Sequence, residues 1–489
     1  MSEVKITLIP APKKMTVAGD CRLPLLISAD ERLAAPARLC ADLLKRLYDV
    51  EPCAGTGGIM LAVDESLAVG EYRLTSSDSG ATITASDDEG ARYAVATLMQ
   101  LVSVDDGALL MPKAEIADRP DCGYRAFMLD LARKWHPFAA LLGYVDLCAL
   151  YKIKYLHLHF VDSQSYTLPS IAFPKMPTEG RHYSYAEIDE LNRYAASRGI
   201  EIIPEIEVPG HAAAMVRAYP ELFADTPIGA DTVDSYSLFN NTQKQNIICV
   251  GKPGIMDTLR TLVDEVVGMF PDSHYLHIGG DEAKISDWGN CRDCVAYMQE
   301  HGIDGPRPLY THFVKLMTDM VLSLGKTPIV WEGFPREGSD AISRDVVVTA
   351  WESYYHLAPE LIEEGFNITN SSWQPLYIVP PGHRYVTSGH WEPDEILDWN
   401  IYNWQNWNPK TAAYKSPINV APTGQVLGAT LCAWECTYEQ EILPVKRNLA
   451  AMSERVWNVD ATPDKSDFAI ALDRLVALAD RLMPDSYEA

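Results

Sequence analysis

The pattern of apolar and polar positions in the first hundred residues predicts a small α/β unit. Tyr72 and Leu74 alternate with polar residues, a polar turn follows at 77–80, and a second alternating run centres on Ile83. Together these features indicate a β-hairpin. After Gly90, apolar residues at positions 94, 95, 98 and 101 have helical spacing. A polar, proline-containing stretch at 118–120 follows, so we expect an accessory domain over residues 1–118.

From residue 119 to residue 489 the pattern alternates between apolar runs of strand length and amphipathic helices. The strand-length runs are 125–132, 155–162, 199–210, 275–283, 327–334, 345–352, 367–373 and 426–435. A capping box that starts at Ser184 predicts a helix ending near Gly199, and an apolar stripe from Phe313 to Leu324 predicts another. This alternation predicts a domain with a (β/α)8 TIM-barrel fold over residues 119–489. A doubly wound open sheet is the alternative, but no glycine-rich phosphate loop follows the first strand.

Charge narrows the classes of partner. The 489 residues include 41 Lys and Arg against 67 Asp and Glu, a formal net charge of −26. Such a surface repels phosphate backbones and anionic lipids, so we expect no nucleic acid and no membrane as partners. Neither a signal peptide nor an apolar run of membrane-spanning length is visible, and a cytoplasmic location is predicted.

The ten cysteines follow no framework spacing, and most lie in apolar contexts. We expect reduced thiols packed in the core. Cys291 and Cys294 form the only close pair, and a zinc site would need a second pair or a nearby histidine. The sequence therefore predicts no metal and no cofactor.

Carboxylates and tryptophans dominate the C-terminal ends of the predicted strands, where barrel active sites lie. These end residues are Asp130, Arg133, Asp162, Glu205, Glu207, His211, Asp281, Glu282, Trp331, Glu332, Trp351, Glu352, Trp373, Trp434 and Glu435. Flat aromatic faces cover the C–H surface of a pyranose, and carboxylates bind its hydroxyls. A small carbohydrate is therefore the expected substrate, and phosphoryl transfer fits poorly because lysines are scarce.

The segment from Tyr275 to Ala283 is the most informative. A buried strand runs into two glycines and then into two adjacent acids, Asp281 and Glu282. An ordinary retaining glycosidase places two carboxyl groups about 5–5.5 Å apart. Adjacent acids at a strand end point in different directions, so we expect Asp281 and Glu282 to have different roles from the two carboxyl groups of such an enzyme. One would act on the leaving group, and the other would act beside the anomeric carbon.

With these motifs the chain resembles the family 20 glycoside hydrolases, the β-N-acetylhexosaminidases. Its most specific segments are IIPEIEVPGH at 202–211 and HIGGDEA at 277–283, and the resemblance extends from the first domain through the barrel. It implies an exo-acting hydrolase that releases terminal, non-reducing, β-linked GlcNAc or GalNAc with retention of configuration.

The resemblance also implies roles for the two acids. The substrate's own acetamido oxygen would attack the anomeric carbon to give an oxazolinium-type intermediate. Asp281 would orient the acetamido N–H, and Glu282 would act as general acid and then as general base. We expect the neighbouring carboxylate of Asp281 to raise the pKa of Glu282.

Further site residues follow from the same resemblance. Arg125 would bind the ring hydroxyls of the sugar, and Asp162 and His211 would support the catalytic pair. Three tryptophans would enclose the sugar ring and the acetamido methyl group, namely Trp331, Trp351 and Trp434, and Tyr377 would bind the acetamido oxygen. Val379 and Cys436 stand where the family often has acids, and Glu435 comes one residue before the second of these positions. The preference between GlcNAc and GalNAc is therefore open.

Two other functions compete with this interpretation. A metal-dependent TIM-barrel hydrolase could use the pair His157 and His159, which lie on one face of a strand. A non-catalytic glycan-binding protein on the same fold would be favoured if Asp281 or Glu282 were missing, but both are present. For the oligomeric state, we consider a homodimer.

Overall fold

The computed structural model describes residues 6–224, 247–383 and 386–487, and its first unit is a mixed sheet carrying two helices. The strands are β1 (Lys14–Leu23), β2 (Leu26–Ala29), β3 (Cys53–Ala54), β4 (Ile59–Val63), β5 (Tyr72–Ser77), β6 (Gly80–Ala85), β7 (Ser103–Asp105) and β8 (Ala108–Asp118). The sheet order is β1-β8-β5-β6-β4-β2-β3, and β7 pairs with β8. β5 and β6 pair antiparallel with Tyr72 opposite Ala85, so the predicted hairpin is confirmed.

The helices of this unit are α1 (Ala34–Tyr48) and α2 (Asp88–Leu101). Asp87 caps α2 by accepting a hydrogen bond from the amide of Gly90, which satisfies one of the free N–H groups at the helix start. The apolar positions 94, 95, 98 and 101 are all buried. The helix predicted after Gly90 is therefore confirmed.

The second unit is a closed parallel barrel. Its eight strands are β9 (Tyr124–Asp130), β10 (Tyr155–His159), β11 (Glu201–Glu205), β12 (Tyr275–His277), β13 (Thr327–Trp331), β14 (Val347–Ala350), β15 (Asn367–Asn370) and β19 (Val426–Ala433). Three short strands lie between β15 and β19 in the chain: β16 (Tyr377–Ile378), β17 (Asn403–Trp404) and β18 (Ile418–Asn419). β19 pairs with both β15 and β9, which closes the ring of eight. The predicted TIM barrel behind a small N-terminal domain is confirmed.

Helices alternate with these strands. They are α3 (Phe138–Leu150), α4 (Tyr185–Arg198), α5 (Ala213–Ala218), α6 (Pro220–Phe223), α7 (Ile255–Met269), α8 (Arg292–His301), α9 (Pro306–Ser323), α10 (Ala358–Glu363), α11 (Trp373–Leu376), α12 (Pro393–Asp398), α13 (Tyr438–Trp457) and α14 (Lys465–Leu482). Ser184 and Glu187 form the predicted capping box of α4, which ends at the left-handed Gly199. Among the described residues, every helix is too short or too polar to cross a membrane.

Arg125 lies in the contact between the two units. It is the second residue of β9, and its guanidinium stands 5.0 Å from the ring centroid of Tyr93 and 5.2 Å from that of Trp457. It donates to the backbone oxygens of Lys152 at 2.9 Å and Cys122 at 2.5 Å, and it is fully buried. A sandwiched and hydrogen-bonded guanidinium of this kind ties α2 to the N-terminal end of the barrel.

A buried ion pair lies beside it. Lys152 Nζ lies 3.1 Å from Asp118 Oδ2 and donates to the hydroxyl of Tyr72 at 2.9 Å. The other oxygen of Asp118 accepts from Trp457 Nε1 at 2.9 Å. Because Asp118 belongs to the first unit and Lys152 to the second, each buried charge depends on the other unit for its partner.

Replacing Arg125 with Met is expected to lower the free energy of unfolding by about 3 kcal/mol, because buried carbonyl groups would lose their donor. Ligand affinity at the other end of the barrel should not change. Urea unfolding monitored by tryptophan fluorescence measures the effect. Arg307→Met, at an exposed position of α9, is the control, and equal unfolding midpoints for the two variants would contradict this structural role.

Candidate functional site

A cavity of about 320 Å³ opens at the C-terminal ends of the barrel strands. Its walls are formed by Arg133, Asp281, Glu282, Trp331, Trp351, Trp373, Tyr377, Val379, His383, Trp407, Trp434 and Glu435. A wider cleft of about 1010 Å³ lies between the first unit and the segment after α13, and the paired acids do not line it. The acidic and aromatic residues expected for a sugar site therefore converge in the smaller cavity.

The backbone around Asp281 and Glu282 is tightly constrained. After β12 the chain turns through Gly279 with φ 69°, and a Cβ there would stand 1.9 Å from Glu207 Oε2. Glu282 itself has φ 45°, a region that costs a side-chain-bearing residue about 1–3 kcal/mol. The surrounding fold therefore holds Glu282 in a backbone conformation that residues other than glycine rarely adopt.

His211 connects the paired acids to Asp162. Its Nε2 lies 3.4 Å from Glu282 Oε2 and 3.9 Å from Asp281 Oδ2, and its Nδ1 lies 3.4 Å from Asp162 Oδ1. Burial alone would lower the pKa of His211, but Asp162 and Glu282 raise it well above its ordinary value. These carboxylates therefore favour the protonated form of the imidazole.

The pKa of Glu282 is lowered, mainly because it is hydrogen-bonded to the charged His211, and burial opposes this shift. The prediction that the pKa of Glu282 is raised is wrong, because it considered Asp281 and not the imidazole on the other side. Burial instead raises the pKa of Asp281, with a smaller contribution from Glu282. Within the described residues, Asp281 Oδ1 is buried without a hydrogen-bond partner.

Arg133 brings the guanidinium to the cavity. Its Nη2 lies 2.7 Å from Asp162 Oδ2, its Nη1 3.2 Å from Asp130 Oδ2, and its Nε 3.7 Å from Glu435 Oε1. The predicted placement of Arg125 in the site is wrong, because that residue is near the start of β9 and Arg133 follows its end. Asp162 is buried behind the cavity, where Arg133 and His211 hold its pKa well below the usual range against the effect of burial.

Aromatic rings form most of the cavity wall. The ring of Tyr377 lies 4.8 Å from that of Trp373 and 6.3 Å from that of Trp351, and both pairs are stacked. The rings of Trp331 and Trp434 lie 5.8 Å apart and are tilted relative to each other. The structure therefore brings the predicted residues Trp331, Trp351, Tyr377 and Trp434 together. Such a box suits the apolar face of a sugar and a small methyl group.

Glu205 is the centre of a buried polar cluster inside the barrel. His157 Nε2, His159 Nδ1 and His277 Nδ1 lie 2.9, 2.7 and 3.1 Å from its oxygens, and Trp331 Nε1 donates to it at 2.6 Å. Burial opposes ionisation, yet these histidines hold the pKa of Glu205 well below its usual value. Because His157 and His159 face Glu205 and not the cavity, the metal-dependent hydrolase is not favoured.

Glu332 fixes the loop after β14. Its carboxylate accepts hydrogen bonds from the backbone amides of Ser353, Tyr354, Tyr355 and His356 at 2.7–3.4 Å. Its backbone oxygen accepts from Trp351 Nε1 at 2.9 Å. One buried side chain therefore sets both the loop and the tryptophan wall beside it.

Glu352 should make the stability of the protein pH-dependent. Burial and the charges of Glu282 and Glu332 raise its pKa to about 8, so the folded state binds this proton more tightly than the unfolded chain, whose glutamate pKa is about 4.3. The stabilisation is complete below that value and is lost as the pH rises through about 8. The melting temperature of the Glu352→Gln variant should therefore depend less on pH over this window than that of the wild type. Glu300→Gln, on the exposed side of α8, is the control, and parallel wild-type and E352Q curves would contradict the assignment.

Positions that depart from the family pattern fall into two groups. Val379 and Glu435 line the cavity, and Glu435 has a left-handed backbone with φ 60°. Cys436 is buried in the main core and is not part of the cavity wall among the described residues. His383 and Trp407 also line the cavity, and neither was among the predicted site residues. The aromatic residues concentrated between His390 and Trp407 are a sequence signal that could have found Trp407.

Comparison with known proteins supports both units. The family model "Glycosyl hydrolase family 20, catalytic domain" matches residues 123–460, and "Glycosyl hydrolase family 20, domain 2" matches residues 5–119. A Beta-hexosaminidase of Vibrio furnissii is 32% identical over 359 residues, covering 68% of this chain and 57% of the relative. A Beta-hexosaminidase of Porphyromonas gingivalis (strain ATCC BAA-308 / W83) is 28% identical over 508 residues, covering 96% and 62%. The chain thus spans about three fifths of the length of these relatives.

A solved structure shows the same architecture. The crystal structure of a GH20 exo beta-N-acetylglucosaminidase from Vibrio harveyi, in complex with N-acetylglucosamine, matches with a TM-score of 0.82 at 22% sequence identity. The match covers 98% of this chain and 78% of that chain. At this identity the likeness concerns the fold, a TIM barrel with an N-terminal domain.

Proposed function

The chain belongs to glycoside hydrolase family 20, and on this premise we propose that it is an exo-acting β-N-acetylhexosaminidase. Its substrate would be a small carbohydrate carrying a terminal, non-reducing, β-linked N-acetylhexosamine, either GlcNAc or GalNAc. The size of the cavity supports exo action, because about 320 Å³ lies at the lower end of the range for small-molecule sites. One terminal sugar suits that volume better than an internal stretch of polysaccharide.

The observation that carries the proposal is the unpaired oxygen of Asp281 beside Glu282 in an aromatic cavity. A buried carboxylate oxygen without a partner has a strong preference for a donor, and the N–H of a 2-acetamido group supplies one. Held in this way, the acetamido oxygen can attack the anomeric carbon of its own sugar. Asp281 would also stabilise the positive charge of the resulting oxazolinium.

Glu282 would complete both steps. It gives a proton to the glycosidic oxygen as the bond breaks, and it takes a proton from the water that opens the oxazolinium. Burial raises the pKa of a carboxyl group, so we infer that a sugar covering the half-exposed Glu282 would offset the effect of His211 and let Glu282 carry this proton. Configuration would be retained without a bond between enzyme and sugar.

Sugar hydroxyls would be bound at the polar side of the cavity. Arg133 offers hydrogen-bond donors there and Glu435 offers an acceptor. Val379 presents an apolar surface at a position where an acid could have accepted a hydrogen bond from a hydroxyl. With fewer acceptors at this edge, discrimination between the two epimers at C4 would be weak. We therefore propose that both GlcNAc and GalNAc glycosides are substrates.

Hydrolysis of three aryl glycosides tests the proposal. We expect cleavage of the β-GlcNAc and β-GalNAc compounds, no measurable cleavage of the β-glucoside, and initial rates unchanged by EDTA. The glucoside is the matched control because it lacks only the acetamido group. Its cleavage at a similar rate would contradict substrate assistance, and binding of GlcNAc without turnover would favour a glycan-binding protein.

A cytoplasmic location and a homodimer stay predictions. The location is supported by the thiols, since no disulfide joins any of the ten cysteines, all of which lie within the described ranges.

A further inference from the structure

Three buried thiols converge outside the cavity. Cys249 Sγ lies 3.3 Å from Cys291 Sγ and 3.6 Å from Cys294 Sγ. All three residues are at most 1% exposed. Cys291 and Cys294 flank the first turn of α8, and Cys249 follows α6 in the chain and comes from 42 residues upstream of Cys291. The fold thus adds to the Cys-x-x-Cys pair the third ligand that its spacing alone did not provide.

The geometry of the cluster resembles a thiolate metal site more than ordinary core packing. In tetrahedral coordination with a Zn–S bond of about 2.3 Å, neighbouring sulfurs lie about 3.8 Å apart. The observed separations of 3.3 and 3.6 Å are close to this value. Thiols are weak hydrogen-bonding groups, so mutual hydrogen bonds give little reason for three of them to meet.

The surrounding backbone supports the same interpretation. The backbone amide of Gly251 donates a hydrogen bond to the sulfur of Cys294. A Cβ on Gly251 would stand 2.5 Å from the Cα of Cys294, so the two segments pack with no room for a side chain. Trp288 Nε1 donates to the backbone oxygen of Ile248 at 2.9 Å and anchors the residue before Cys249.

We propose that Cys249, Cys291 and Cys294 bind one Zn²⁺ ion through three thiolates, with an oxygen ligand completing the coordination. Each thiol gives up its proton on binding, and the oxidation states of sulfur and zinc do not change. The ion joins the loop that contains Cys249 to the segment that leaves Glu282 through the 3-10 turn Ile285–Gly289. Its role is structural, and it does not depend on the hydrolase proposal.

Metal analysis of the full chain, purified under reducing conditions without chelator, tests the site. We expect close to one zinc per chain. Replacement by Co²⁺ should give a thiolate-to-cobalt charge-transfer band, which Cys249→Ser and Cys294→Ser should abolish. Cys148→Ser, which removes a single buried thiol on α3, should retain the band. Zinc should also raise the melting temperature of the wild type while initial hydrolysis rates stay the same.

Alkylation of the native wild type does not depend on how the variants fold. With zinc present, the peptides carrying Cys249, Cys291 and Cys294 should be protected, and chelation should expose them to modification. A reduced wild-type protein that binds neither Zn²⁺ nor Co²⁺ would overturn the proposal. So would a mass lower by two hydrogens that maps to a bond between Cys249 and Cys291, because a disulfide would then account for their proximity.

Discussion

Replacing Glu282 with Gln is expected to lower kcat/KM for an aryl β-N-acetylhexosaminide by a factor of about 10²–10⁴, the range of a lost general acid–base group. The amide keeps the size of the side chain and can still donate to the glycosidic oxygen, but it cannot transfer a proton. Since the side chain is half exposed at 53%, the fold should tolerate the change. The loss should therefore appear in turnover and not in the thermal midpoint.

The leaving group makes this prediction specific to acid catalysis. A leaving group of low pKa needs little protonation, so E282Q should lose much less activity on a dinitrophenyl glycoside than on a disaccharide. The surface acid Glu337, which is 77% exposed on the loop after β13, provides Glu337→Gln as the control with unchanged rates. A uniform loss across all leaving groups would assign Glu282 a role other than proton donor.

Replacing Asp281 with Asn is expected to lower kcat by a factor of about 10²–10³, the typical loss when one preorganised electrostatic contact to the transition state is removed. Asparagine cannot carry the negative charge that stabilises the oxazolinium, although its side-chain oxygen can still accept a hydrogen bond from the acetamido N–H. The effect should therefore fall on kcat, with a smaller change in KM.

The same substitution should leave the fold intact or more stable. Burial raises the pKa of Asp281, so the folded state favours its neutral form, and this contribution to stability is lost as the pH rises through the folded pKa. Removing the charge should therefore maintain or raise the thermal midpoint near neutral pH while turnover falls. Asp189→Asn, at an exposed position of α4, is the control for charge removal. A large drop in the midpoint of D281N would contradict this description of the carboxylate.

The sequence alone predicted the architecture because periodicity is a local property. The hairpin of β5 and β6, helix α2 and the capping box of α4 all follow from spacing within ten or fifteen residues. The paired acids were also visible, since their position after a buried strand and two glycines is local as well.

Predictions that depended on tertiary distances were less successful. Arg125 and Arg133 are eight positions apart in the chain. Only the observed bounds of β9 show that Arg125 lies near the start of the strand and that Arg133 follows its end. The pKa of Glu282 depends on His211, which is brought from a loop 71 positions upstream. Cys249 likewise meets Cys291 and Cys294 only because its loop packs against the start of α8. Such contacts leave no period or motif in the chain.

The buried charges between the two units have a consequence for dissecting the protein. A cut between residues 118 and 119 would leave Asp118 on the discarded fragment, while Lys152, Arg125 and Trp457 remained on the barrel. The isolated barrel would then carry the buried Lys152 ammonium without its carboxylate partner. Arg125 would lose its contact with the ring of Tyr93 but would keep its backbone acceptors. The N-terminal unit therefore covers the N-terminal end of the barrel, and a truncated variant that lacks it should be less stable than the whole chain.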